Sequence, residues 1–164
     1  MRLTVDGRAV AVSSAAVLNH VPQVVLDTNV VLDWLVFRDP RVRLLARRIQ
    51  HGRLHWLASP KMRDELACVL ARASLQRWAP DAEAALACFD TLATLHPSAA
   101  THPPHALRCT DPDDQAFIDL AVEHRVLWLV TRDRALLALA RAARSQGVAV
   151  LTPERWQAQQ AEAA

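Results

Sequence analysis

Short apolar runs that stop abruptly on a polar residue alternate along this chain with longer stretches whose apolar positions recur at helical spacing. Four runs, 24–26, 54–58, 127–130 and 148–151, are too short for helices and rich in Val, Leu and Ala, and they read as buried strands. The stretches between them read as helices. The first lies around 30–35 and ends near Asp39-Pro40. The second covers 41–50, with Val42, Leu45, Ala46 and Ile49 on one face and Gly52 as its C-cap. Ser59-Pro60 opens a third, over 60–73, and Pro80-Asp81 a fourth, to about residue 95. Thr110 to Asp114 open a fifth, to about residue 124, and a sixth spans 134–146, stopped by Gly147. Thr152-Pro153 caps a terminal helix whose end, 157–164, is expected to fray. Strands that alternate with helices predict an α/β domain with a central, mostly parallel sheet and helices on both faces. The expected domain is 23–156, preceded by a tail or small extension over 1–22.

Composition narrows the function. A chain of 164 residues is one domain with room for a real core. It has no apolar stretch long enough to span a membrane, and its first residues make a poor signal peptide. Three scattered cysteines, Cys68, Cys88 and Cys109, lack CxxC spacing and read as reduced thiols of a cytoplasmic protein. A net charge of +2 sets up no global basic field. Eighteen of the nineteen cations are Arg, which suits phosphate, although a GC-rich genome produces the same bias. Only three glycines, Gly7, Gly52 and Gly147, exclude a GxGxxG or P-loop nucleotide site. A receiver-type phosphotransfer site would need a strand-end Lys, but Lys61 opens a helix. A haloacid-dehalogenase-type site would need a second acid where Asn29 stands. The segment 96–105, with three Pro and three His, reads as a loop whose histidines are solvated rather than metal ligands.

The acids carry the remaining chemistry. Asp27 ends the first strand and Asp133 follows the strand over 127–130, so each can cap a helix, yet each also stands where open parallel sheets collect ligands. Asp114 falls within about 60° of Phe117, Ile118 and Ala121 on a helical wheel, inside the apolar stripe, where an unpaired carboxylate is expensive. Its alternative role is a simple N-terminal acid that interacts with the helix dipole. Glu65 falls beside the apolar face of its helix, with Asp64 pointing nearly the opposite way. Asp111 and Asp113 look like capping acids, and Asp119 lies on the polar side. Parallel strands would bring Asp27, Asp114 and Asp133 to one rim, with Glu65 one turn into a helix that starts there. Carboxylates gathered so closely call for a hard divalent cation, Mg²⁺ or Mn²⁺.

The series Val-Val-Leu-Asp27-Thr28-Asn29, Arg-Asp-Glu65-Leu, Asp111-Pro-Asp-Asp114-Gln-Ala-Phe-Ile and Val-Thr131-Arg-Asp133-Arg-Ala resembles the PIN domain family over about residues 23–155. Within that family it is similar to the VapC-like toxin components of bacterial toxin–antitoxin systems. The resemblance implies a three-layer α/β/α fold and a Mg²⁺- or Mn²⁺-dependent endoribonuclease with one or two ions. Asp27, Glu65, Asp114 and Asp133 match the family's acidic quartet. Asn29 and Thr131 match the polar residues that orient the acids or a bound water. The family often has another acid shortly after the fourth Asp; here that ground is Arg134-Ala135, which puts the number of ions in question. Arg132, Arg134, Arg63 and Arg38 are candidates for holding RNA phosphates. No aromatic ladder for stacking bases is evident, since Trp34 and Trp128 lie in apolar patterns. An antitoxin partner and a homodimer are implied by resemblance alone. The competing class is a PIN-like scaffold that binds RNA or protein with little or no catalysis.

Overall fold

The computed structural model describes residues 21–97 and 107–162. Its centre is β1 (Gln23–Leu26), three of whose four residues are buried. β1 pairs in parallel with β2 (His55–Ala58) on one side and with β4 (Trp128–Val130) on the other. β3 (Ala93–Leu95) and β5 (Ala149–Leu151) extend the sheet outward, giving the order β3-β2-β1-β4-β5 with every pairing parallel. The strand order reverses direction between β1 and β4. Crevices at such a reversal, at the carboxyl ends of the strands, are where α/β sheets bind ligands.

Helices follow the strands: α1 (Thr28–Leu35), α2 (Arg43–Gln50) after a 3₁₀ turn over Pro40–Val42, α3 (Pro60–Leu70), α4 (Ala73–Gln76), α5 (Ala82–Leu92), α6 (Gln115–Glu123), α7 (Arg134–Leu137), α8 (Ala140–Ser145) and α9 (Pro153–Glu162). The expected three-layer α/β/α architecture is present. The core is continuous from Trp56 and Phe89 through Val24, Val25, Leu57 and Leu129 to Phe117, Ile118 and Trp156, all at most 2% exposed. Trp34 and Trp128 pack against that core, as their apolar setting predicts.

Several boundaries differ from expectation. The helix expected to reach residue 95 stops at Leu92, and 93–95 form the edge strand β3. The helix expected over 134–146 is broken in two at 138–139. The fifth helix begins at Gln115, several residues later than its acidic run suggests. In the 157–164 segment expected to fray, helix α9 is described as far as Glu162, with Gln160 buried and accepting a hydrogen bond from the Arg48 guanidinium. The extension over 1–22 lies outside the described residues apart from Val21 and Pro22, and most of the 96–105 loop does too. Of that loop, His96 lies against His124, the ring centroids 4.3 Å apart and the planes tilted by 54°. The three cysteines are free thiols. No described helix is long and apolar enough to cross a membrane.

Candidate functional site

Strand pairing continues one step past β1, with the Asp27 N–H donating to the Val130 carbonyl at 3.0 Å. That register sets Asp27 beside the end of β4. The fully buried Thr131 hydroxyl then donates to Asp27 Oδ2 at 2.8 Å and accepts the Asp133 N–H at 2.9 Å. One hydroxyl therefore ties two acids of the quartet, 106 positions apart in sequence, to each other. The other oxygen of Asp27 faces the Asn29 N–H at 3.4 Å, a weak cap for α1. Asp133 caps α7 through Oδ1, which accepts the Ala135 and Leu136 N–H groups at 2.7 and 3.3 Å. Both acids thus perform the capping role open to them and still present a carboxylate at the rim.

Asp114 occupies the N-cap position of α6 but makes no side-chain capping bond, so its carboxylate is not consumed by the helix. Capping in that turn falls to Asp111, whose Oδ1 accepts the Asp113 N–H at 3.0 Å. Partial burial, then the charges of Asp133, Asp27 and Asp111, push the Asp114 carboxyl up to about 7. Its neutral form can also share a hydrogen bond with Asp133, which adds to the rise. Glu65 is half-buried on the first turns of α3. Burial raises its carboxyl most, against the opposing Thr28 hydroxyl, and the Asp27 charge raises it further. Burial likewise raises Asp27, against the Thr131 hydroxyl and the Asn29 N–H, with Asp133 adding to the rise. Asp64 points out to solvent, as the wheel predicts. Asp27 thus feels the charge of Asp133, Asp114 feels both, and Glu65 feels Asp27, while Lys61 partly offsets the rise at Glu65.

The donor set fits a hard divalent cation. It is all oxygen, it lies by a sheet switch point, and the Asp27, Glu65 and Asp114 carboxyls are raised by burial and by neighbouring acids, which such a cation would relieve. Among the described residues, no group of three or more His, Cys, Asp or Glu side chains is arranged to hold a metal ion.

The arginines divide. Arg132 is only 27% exposed and is held by carboxylates of this chain: Nε on Asp33 Oδ2 at 2.7 Å, one terminal nitrogen on Glu154 Oε1 at 2.6 Å and the other 3.6 Å from Asp39 Oδ2. Arg63 forms a two-pronged pair with Asp90 at 2.5 and 2.7 Å. Arg38 and Arg134 are exposed, and no described ion pair engages them. Asn29 reaches Asp27 through its backbone, while its side chain is exposed.

Two residues escaped the sequence reading. Thr28, buried beside Asp27, bonds the Glu65 carboxyl; its place directly after the strand-end Asp was the available signal. Gln115 accepts the Cys109 N–H at 2.8 Å and donates to the Leu107 carbonyl at 2.6 Å, fastening the incoming chain next to Asp114. Nothing in its sequence setting marks that role.

A comparison with the curated proteins returned no match. A family model described as PIN domain matches residues 23–135, a span that runs from β1 to the first turn of α7 and contains all four acids. PIN domains are generally nucleases, and they usually employ divalent metal ions. By the length of that match, and with the sheet and acid rim just described, the chain belongs to the PIN domain family.

Proposed function

We propose that this protein is a Mg²⁺- or Mn²⁺-dependent endoribonuclease, the toxin of a toxin–antitoxin pair, acting at the rim formed by Asp27, Glu65, Asp114 and Asp133. The observation that carries the reading is Asp114: a carboxyl at a helix start that caps nothing, pushed up to about 7 by burial and by the acids around it. Asp27 and Asp114 would hold the principal ion with help from Glu65, and Asp133 would hold a second if one binds. An ion held by these acids would supply an activated water and charge neutralisation at the phosphate. The Thr131 hydroxyl keeps Asp27 and the start of α7 in register, and Thr28 orients Glu65. Arg134 and Arg38 are the cations left to contact flanking phosphates, since Arg132 and Arg63 are engaged by acids. An antitoxin that covers the rim, and a homodimer, belong to the same reading. The Arg134-Ala135 pair, standing where the family often has a further acid, bears on whether a second ion binds; the competing reading is a PIN-like scaffold that binds RNA or protein without cutting.

The test is incubation of the purified chain with a mixed pool of structured and single-stranded RNA in Mg²⁺, Mn²⁺ or EDTA. Cutting in metal and none in EDTA supports the nuclease. Metal-independent RNA binding without cutting, from a chain that is also harmless when expressed in cells, supports the scaffold.

A further inference from the structure

Helices α1 and α3 leave the acid rim together. At their starts Thr28 bonds Glu65. Phe37, two residues past the end of α1, meets Trp78, two residues past the end of α4, the two rings 5.0 Å apart and edge-on at 67°. Three features set this pair apart from the tryptophans of the core. Trp78 is 51% exposed, the highest value among the large apolar side chains described. The Arg77 guanidinium lies over its ring, 5.6 Å from the centroid. The residue that follows each aromatic, Arg38 after Phe37 and Ala79 after Trp78, has a positive φ (53° and 43°), which is strained for any residue with a side chain. Two strained turns thus hold Trp78 at the surface, against a half-buried Phe37 that packs on the core, with Arg77 and Arg38 beside them.

We propose that Trp78, with Phe37 packed edge-to-face against it and Arg77 over its ring, is a stacking platform for a base of the single-stranded RNA cut at the acids; this rests on the ribonuclease reading. An exposed indole offers a π-face that any base can cover, and arginines beside it suit the phosphates on either side. The arginines also distinguish an RNA strand from an apolar protein segment, which would gain nothing from them.

The experiment is fluorescence anisotropy of a short, labelled, mixed-sequence single-stranded RNA with the full chain in EDTA. It compares the wild type, Trp78→Ala and Trp78→Phe, with melting temperatures recorded to show that each is folded. Expected is a loss of about fivefold or more in affinity for Trp78→Ala, the low end of what one stacked base contributes. Trp78→Phe should restore most of that affinity, and the RNA should quench indole fluorescence in the wild type but not in Trp78→Phe. Equal affinity in all three folded proteins, or no RNA binding by the wild type, overturns the platform. Cleavage in Mg²⁺ or Mn²⁺ is scored separately. Trp78-dependent binding without any cutting keeps the platform and removes the nuclease, whereas cutting with Trp78-independent binding does the reverse.

Discussion

The Thr131 hydroxyl donates to Asp27 at 2.8 Å while accepting the Asp133 N–H at 2.9 Å, so a single oxygen sets the spacing of two acids carried by different strands. Thr131→Val keeps the shape and removes both bonds. Asp27 would then be buried without its strongest stabilising partner, and the Asp133 N–H would lose its acceptor. Groups that orient a metal-binding acid typically contribute about 10- to 100-fold to activity or metal affinity. Thr131→Val should lose cleavage in that range and destabilise the fold by about 1–2 kcal/mol. Thr131→Ser should retain most of both. Initial cleavage rates and urea unfolding of the two variants check this.

Asp114 makes the stability of the metal-free protein depend on pH. Its folded pKa, about 7, lies above its ordinary 3.8, so the folded chain retains a proton that the unfolded chain releases. The stabilisation from that proton is full below the ordinary value and is lost as pH rises through about 7. Glu65 and Asp27, also raised, act in the same direction. In EDTA the melting temperature should therefore fall between about pH 5.5 and about pH 8. Asp114→Asn should flatten the fall. Saturating Mg²⁺ should flatten it too, by holding the ionised form. A melting temperature that rises over this interval in EDTA would show that the acids do not crowd one another.

Arg132 and Arg63 look alike in sequence but should behave differently on substitution. Arg132 ties Asp33 of α1 and Glu154 of α9 to the loop between Thr131 and Asp133 from a largely buried position. Arg132→Met strands the Asp33 carboxylate and should destabilise by about 2 kcal/mol, with cleavage reduced because the loop loosens. Arg63→Ala breaks an exposed pair with Asp90 and should barely move stability. Chemical denaturation of both variants is the check. Equal effects would mean that the Arg132 network is as solvent-screened as the Arg63 pair.

The parts of this protein legible in the sequence are those where one local pattern had one physical meaning. An apolar run ending at Asp27 could only be a buried strand with an acid at its end, and the same logic located β4 and Asp133. Asp114 was legible because a carboxylate inside an apolar stripe needs a reason to be there. The edge strand β3 was not, because the Ala- and Leu-rich pattern of α5 runs into Ala93–Leu95 without a Gly, Pro or polar break, and an exposed edge needs no apolar alternation. The break between α7 and α8 was hidden in the same way by a run of Ala and Leu. The role of Arg132 was not legible either. Whether an arginine faces phosphate or an internal acid depends on Asp33 and Glu154, far away in sequence. Trp78 was passed over because exposure is a property of the turn that carries it, not of its neighbours in the chain.

The most direct test of the central claim, that one acidic rim holds the ion for phosphodiester cleavage, compares RNA cleavage by the wild type, Asp27→Asn and Asp114→Asn. All three are assayed in the metal that best supports the wild type, and again in EDTA. The account predicts cutting by the wild type in metal only, and loss of at least about a hundredfold in each variant, since both acids bind the ion rather than merely orient it. Undiminished cutting by both folded variants would contradict it.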